Sequence, residues 1–490
     1  MDRHPPPERR DVRLPLQGLQ RLEHRLLERR AARQPSPLQQ LAILLRDAHA
    51  PPERPLALCI DLGLVHRARQ LMERTRAPLA LPAAIQLAWL EGDFDALDRC
   101  AADPATAAAL ARASQGVQNR CLSILASRAP QAALAVVRAM PRRPACAPAV
   151  ALRAGDPDTA ATWLRAWPWR LHADYLLLAA NQAGDGPQGL AFLNRYLARH
   201  GLAALRLRRS DAPLGVTQLT PCGPNAAPAS TAVGEARLSV VIPTFDNALH
   251  IRASVESMLQ QTRRPDEVLV IDDASRDDTA AIVAALAQVY PGVVRLLRLP
   301  HNRGAYFARN LGLAAARGRF VAFHDADDYA HPQRLELALA PLLADEQLHA
   351  TTSRCVRLAD DGQFGEARTW PLTRWTPISL LMRREVVLHR VGYFDDLRFG
   401  ADSEYVARLR LLLGERHHRL VAQPLSLFGQ RAGSLTTSGE AGFDRQGWSG
   451  PRIAYQEAWT ERHLAHLLRG DALFTPLPAE VAATLAGLDD

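Results

Sequence analysis

The chain contains no lysine, and all 59 of its basic residues are arginine. A phosphate-cradling P-loop requires a lysine, so that class of nucleotide enzyme is excluded. Cysteine is sparse and scattered, at Cys59, Cys100, Cys121, Cys146, Cys222 and Cys355. With no C-x-x-C pair and no histidine at ligand spacing, neither a zinc site nor a disulfide framework is indicated. A reducing compartment is the simplest setting. Long apolar runs are also missing. The longest, residues 77–90, is interrupted by proline and too short to span a bilayer. Charge and prolines occupy the N-terminus where a signal peptide needs an apolar stretch. The chain is therefore expected to be cytoplasmic, with at most a peripheral association at the inner face of the cytoplasmic membrane. Its formal net charge of +8 does not imply a nucleic-acid partner, because the arginines are spread among Glu, Asp and Ala in helical segments.

What is present divides the chain in two. At 490 residues, it is too long for one ordinary core. Residues 1–205 read as an all-α region. Leu16, Leu19, Leu22, Leu26 and Leu27 recur at helical spacing, as do Leu178, Leu190, Leu193 and Leu197. Three turns are alike: Glu91-Gly92-Asp93, Ala154-Gly155-Asp156 and Ala183-Gly184-Asp185. They resemble a degenerate tetratricopeptide-like array, with an irregular helical bundle as the alternative. Residues 206–236 turn to Pro, Gly, Ala, Ser and Thr without apolar period and read as a linker.

From residue 237 to 430 strands and helices alternate. Strand runs fall at residues 238–242, 268–271, 293–299 and 320–323, with helices at 251–259, 279–289 and 306–317 between them. This alternation predicts an α/β fold, a mostly parallel, doubly wound sheet covered on both faces. Residues 431–490 are expected to pack on it as a C-terminal extension. Ligands of such sheets bind outside the carboxyl ends of the strands. Here those ends read Pro243-Thr244-Phe245-Asp246-Asn247, Asp272-Asp273-Ala274-Ser275 and His324-Asp325-Ala326-Asp327-Asp328. Carboxylates converging on one rim repel one another unless a cation or a donor-rich ligand lies between them. Asp277, by contrast, is read as a cap for the following helix. No glycine-rich turn follows the first strand, so a dinucleotide-dependent oxidoreductase is excluded.

The ordered run Ser239-Val-Val-Ile-Pro-Thr-Phe245, Gln261-Thr262, Val270-Ile-Asp-Asp-Ala-Ser275, Asn302-Arg-Gly304, Ala308-Arg-Asn-Leu-Gly312, Gly318 to Asp328 and Gly392-Tyr-Phe-Asp395 resembles family-2 glycosyltransferases of the inverting GT-A fold. The resemblance implies a nucleotide-sugar donor, UDP-linked, and a glycan or lipid-linked acceptor in surface polysaccharide synthesis. By the same resemblance Phe245 stacks on the base, with Pro243 and Thr244 shaping its pocket, and Asp273 accepts a hydrogen bond from the base. Asp327 binds Mn2+ or Mg2+. Asp325 holds the ribose or shares the metal, and Asp402 is the general base. The segment Phe399-Gly-Ala-Asp402-Ser-Glu404 has Ala401 where the family carries Glu, so Glu404 is a candidate to share the base role. Arg303 and Arg431 are candidates for the diphosphate, the alternative for each being an ordinary loop or helix-start cation. The family's downstream histidine is absent after Arg431. The helical region is expected to dock the acceptor or a protein partner, in which case removing residues 1–204 spares donor hydrolysis. A rival of another class is a decayed transferase domain that serves as a scaffold.

Overall fold

The Gly-Asp turns have a local physical cause. Gly92 and Gly155 take φ of +70° and +72°, the left-handed conformation that ends a helix at little cost to glycine. Asp93 then accepts the amide of Ala96, and Asp156 the amide of Thr159, capping the next helix. The third turn departs from this scheme. Gly184 has φ +86°, but its helix partner starts at Pro187 behind Gly186. The structure, a computed structural model, describes residues 35–489 apart from 48–49, 76–78, 167–171, 224–236, 366–368, 431–442, 445–446 and 449. Arg431 and Ser434-Leu-Thr436 therefore lie outside the described residues.

Among the described residues, helices run from Pro37–Arg46 to Pro187–Arg199. The expected linker starts later than residue 206. Leu205–Leu207 pairs antiparallel with Leu219–Pro221, and Leu205, Leu207, Leu214, Val216 and Leu219 are buried. Polar composition concealed these leucines, which face the helical core.

The second half builds one eight-stranded sheet among the described residues. Its first part comprises β1 (Leu238–Thr244), α1 (Ile251–Leu259), β2 (Glu267–Asp272), α2 (Thr279–Val289), β3 (Val294–Arg298), α3 (Ala305–Ala315) and β4 (Phe320–Phe323). After these come β5 (Tyr329–Ala330), α4 (Arg334–Ala344), β6 (Ala350–Ala359), β7 (Arg374–Arg383), α5 (Arg384–Arg390), α6 (Ala401–Leu413) and β8 (His418–Gln430). Two further helices, α7 (Gly450–Arg469) and α8 (Ala479–Asp489), close the chain. The strand order is β3-β2-β1-β4-β7-β6-β8-β5, with β3, β2, β1 and β4 mutually parallel and β7 antiparallel to both neighbours. Successive residues of β1 face opposite sides. Val241 joins the core beneath α3 and α6, while Val240 and Ile242 join the core beneath α1, α2 and α4. The sheet is thus apolar on both faces, as a parallel sheet must be.

The helical region is not a detachable neighbour. One continuous core runs from Leu122, Leu134 and Leu177 through Trp370 and Leu372 to Val356, Leu358, Leu425 and Leu427 of β6 and β8. A second core joins Leu41, Ile60 and Leu64 to Leu464 of α7. The expectation that residues 1–204 can be removed without loss of donor chemistry presupposes separable regions, whereas the two share these cores. Removing residues 1–204 would strip one sheet edge of its cover and expose the apolar residues of β6 and β8. Polar contacts lock the same junction. Asp174, 1% exposed, accepts the amides of Leu372 at 2.8 Å and Thr373 at 3.0 Å, and also the Thr373 hydroxyl. The Asn181 side chain accepts the amide of Phe364 and donates to its carbonyl. Asp174→Ala leaves two amides in a dry junction without acceptors and should cost about 3 kcal/mol. Urea unfolding measures this, and an unchanged midpoint would mean that Asp174 does not fasten the two regions.

Candidate active site

The carboxyl ends of β1, β2 and β4 open on one cleft, and each acidic group there is held by a specific donor. Beyond β1, Asp246 has φ +44°; its amide is bound by Ser275 Oγ, and its carboxylate accepts the Arg276 amide at 2.7 Å. This ties the first strand end to the second. Asp272 is fully buried and accepts from the Ser275 amide and from Arg298 Nε, both at 3.1 Å, so it is a structural residue. Asp273 accepts the amides of Arg303 at 2.6 Å and Gly304 at 2.7 Å. Burial raises the pKa of its carboxyl, against those two amides. The N-cap position of α2 is Asp278, which makes no side-chain capping bond; Asp277, one residue earlier, accepts the amides of Thr279 and Ala248.

The third strand end carries the acidic turn. Asp325 is paired with Arg309 at 2.5 Å. Arg309 lies 4.6 Å over the ring of Tyr306, whose hydroxyl donates to Asp402 Oδ1 at 2.9 Å. Tyr306 and Arg309 are three residues apart on α3 and so share one face of that helix. The result is a chain from Asp325 through Arg309 and Tyr306 to Asp402. Burial would lower the pKa of Arg309, but the charge of Asp325 beside it raises it. Burial and the charge of Asp402 hold the Tyr306 hydroxyl protonated. Asp328 is pushed far above the carboxylate range by burial and then by Asp327 and Asp325 beside it. Its Oδ1 accepts the amide of Gly429 at 3.1 Å, and a Cβ at Gly429 would come within 2.3 Å of the Asp327 carbonyl. Only glycine lets β8 approach the acidic turn so closely.

Pro243, Thr244, Phe245, Asp273, Asp325, Asp327 and Asp402 all line this cleft, which measures about 1790 Å3. Phe245 is 37% exposed, which is unusual for a phenylalanine at a strand end. Asp402 sits in the first turn of α6, and its Oδ1 also accepts the Ser403 amide at 2.8 Å. Among the described residues no group of three or more His, Cys, Asp or Glu side chains is arranged to hold a metal. Asp327 and Asp325 are two neighbouring hard-oxygen donors among the carboxylates that line the cleft. That is a donor set suited to a small divalent cation that takes one or two carboxylates and completes its shell with phosphate oxygens and water.

Two expectations are corrected. The Arg303 side chain is not in the cleft. Its guanidinium stacks over Phe307 at 4.6 Å and pairs with Glu480 of α8, so only its backbone amide serves the site, through Asp273. Glu404 cannot share the role of base. It is fully buried and bound by Arg408 at 2.9 Å, Arg462 at 3.0 Å and His463 at 2.9 Å, which clamps α7 onto α6. Two positions apart on a helix differ by about 200° of rotation, so Asp402 and Glu404 face different ways. Tyr306, Arg309 and the cleft-lining residues of α7 and the helical region were not singled out from the sequence. The run Ala308-Arg-Asn contained the only signal, and it assigned Arg309 no role.

Comparison with known proteins follows this geometry. The glycosyl transferase family 2 model matches residues 239–406, and this part of the chain is a family-2 glycosyltransferase domain. Succinoglycan biosynthesis protein ExoO of Rhizobium meliloti (strain 1021) is 31% identical over 206 residues, covering 40% of this chain and 57% of that protein. The UDP-Glc:alpha-D-GlcNAc-diphosphoundecaprenol beta-1,3-glucosyltransferase WfgD of Escherichia coli is 36% identical over 106 residues, covering 22% of this chain and 41% of that protein. The chain thus spans 57% of the length of the first relative and 41% of the second. A crystal structure of S. aureus TarS 1-349 in complex with UDP-GlcNAc aligns with TM-score 0.36 and 20% identity, covering 47% of this chain and 71% of that one. No helix of the described residues is long and apolar enough to cross a membrane.

The Glu404 clamp has a measurable pH signature. Burial alone would raise its pKa, but the His463 hydrogen bond, then Arg408, bring it from 4.5 down to about 2. A folded-state pKa below the unfolded value contributes stability that is complete above pH 4.5 and is lost as pH falls toward 2. Glu404→Gln should lower stability at neutral pH by about 3 kcal/mol and flatten the acid limb of the stability profile. An acid limb identical to that of the unaltered protein would remove Glu404 from the clamp.

Proposed function

We propose that the chain transfers a sugar from a nucleoside-diphosphate sugar, UDP-linked, to a hydroxyl of a glycan or lipid-linked acceptor, inverting the anomeric centre. The observation that carries this reading is the placement of Asp402 and the Asp325-Ala326-Asp327 turn on one cleft, joined through Arg309 and Tyr306. The names of the similar proteins, one a glucosyltransferase using UDP-Glc and one in succinoglycan biosynthesis, support a role in surface polysaccharide synthesis. Four of the six cysteines are buried free thiols, which suits a reducing cytoplasm.

In this reading Phe245 offers its ring to the base, and Asp273 presents its remaining lone pairs to the base edge. Asp327, with Asp325 beside it, would hold a divalent cation, which supplies charge neutralisation for the departing nucleoside diphosphate. Arg309 orients Asp325 through their ion pair. Asp402 is held at Oδ1 by Tyr306 and Ser403, and among the described residues its Oδ2 takes no hydrogen bond. That oxygen takes the acceptor's hydroxyl proton as the hydroxyl oxygen bonds to the anomeric carbon and the bond to the diphosphate breaks. The Tyr306 hydroxyl fixes the orientation of the base before transfer.

Asp402→Asn should lower kcat by about 10²–10⁴-fold while UDP binding, measured by titration calorimetry, is retained. Equal loss of both would make Asp402 structural. Chelation with EDTA should abolish turnover of the purified chain, and Mn2+ should restore it. Undiminished turnover in EDTA would remove the cation from the scheme.

A further inference from the structure

The cleft is larger than a donor requires. At about 1790 Å3 it exceeds the roughly 300–1,000 Å3 that a site for one small ligand occupies. The donor-side residues come from the strand ends. Other parts of the wall come from the helical region, the start of β7 and α7, and these carry three indoles: Trp89, Trp375 and Trp459. Trp375 is 40% exposed, and its Nε1 donates to Thr352 Oγ1 at 3.0 Å, which fixes the ring while leaving much of it open. Trp459 lies beside His463, 5.0 Å between ring centres, and His463 is held by the Glu404 clamp. Planar polar groups line the same cleft. Arg120 binds Asp61 at 2.6 Å and Gln86 at 2.9 Å, and Gln456 of α7 lies beside Gly63, where an added Cβ would meet its side chain at 3.6 Å.

This mixture discriminates among occupants. A lipid chain or an apolar helix would strip water from the amides and the Arg120–Asp61 pair without replacing their hydrogen bonds. A sugar ring presents a CH face that packs on an indole and hydroxyls that pair with amides, carboxylates and guanidinium groups. Arg120 is already neutralised by Asp61, so the pair does not select for charge. The three indoles and Asp402 line one and the same cleft, so an occupant of the indole side shares its space with the reacting group.

We propose that the Trp89, Trp375 and Trp459 wall, built jointly by the helical region, β7 and α7, is a subsite for a neutral oligosaccharide of two or more sugars, the non-reacting part of the acceptor. The inference rests on the transferase reading above and assigns the helical region a direct part in acceptor choice.

The test is direct binding to the full-length chain. Glucose and β-1,4-linked glucose oligosaccharides of two to six units are titrated by calorimetry, and UDP is titrated separately. The affinity should rise at least about ten-fold from glucose to the tetramer, and Trp89→Ala and Trp459→Ala should each weaken the tetramer about ten-fold, or about 1.4 kcal/mol. Trp89→Phe and Trp459→Phe, which keep a flat ring, should retain most of the binding, and melting curves identify any variant that fails to fold. Affinity independent of chain length, no binding by any oligosaccharide, or a tetramer affinity unchanged in both alanine variants would overturn the proposal. So would tryptophan variants that weaken a polyprenyl phosphate and not the sugars, since that result makes the wall a lipid site. UDP binding without oligosaccharide binding sinks this inference alone, whereas loss of both sinks the donor reading as well.

Discussion

Like charges gathered at the carboxyl ends of parallel strands must each find a donor, and this constraint shapes the neighbourhood of the cleft. The sheet brings Asp272, Asp273, Asp325, Asp327 and Asp328 to one rim because each lies at or just past the end of its strand. Backbone amides before α3 hold Asp273, and Arg298 and the Ser275 amide hold Asp272. Arg309 holds Asp325, while Asp328 accommodates the crowding by a raised pKa and a bond from Gly429. With no lysine in the chain, every cation in this arrangement is arginine, whose planar fork bonds to a carboxylate and stacks on a ring at once. Arg309 does both, and for that reason the donor side and the candidate base belong to one network.

A second consequence concerns architecture. The helical region shares its core with the edge of the sheet, and α7 shares another with the first described helices. Polar groups add register to these apolar contacts: Asp174 and Asn181 at the helical junction, Glu404 with Arg462 and His463 between α6 and α7. Buried carboxylates cost desolvation, and their value lies in permitting few alternative alignments. The cleft therefore has walls fixed from three parts of the chain, and the separation between a catalytic half and an appended helical half is a feature of sequence order more than of mechanics.

Much of this was readable from residue order. Apolar runs flanked by helical periods determine strands 238–244, 267–272 and 320–323 within two residues, because burial on both faces of a parallel sheet demands continuous apolar segments. Positions at strand ends follow from the same pattern, and with them Phe245, Asp273, Asp325 and Asp327. The long strands β6, β7 and β8 were not readable, since Thr, Ser and Arg interrupt them where they meet neighbouring elements. Nor was the ribbon at 205–221, whose few leucines are buried within a polar, proline-containing stretch.

The sequence alone determined the fold class, the acidic rim and Asp402, because these depend on local periodicity and on motifs short enough to carry their own geometry. Tertiary structure decided which neighbours those groups received. It directed Arg303 toward Glu480 and Phe307, enclosed Glu404 in a structural clamp, and set Tyr306 between Arg309 and Asp402. It also brought Trp89, Trp375 and Trp459, which are far apart in the sequence, onto one cleft. The reason is that side-chain direction and long-range packing are settled only when the two cores close, and no local pattern encodes which faces will then meet.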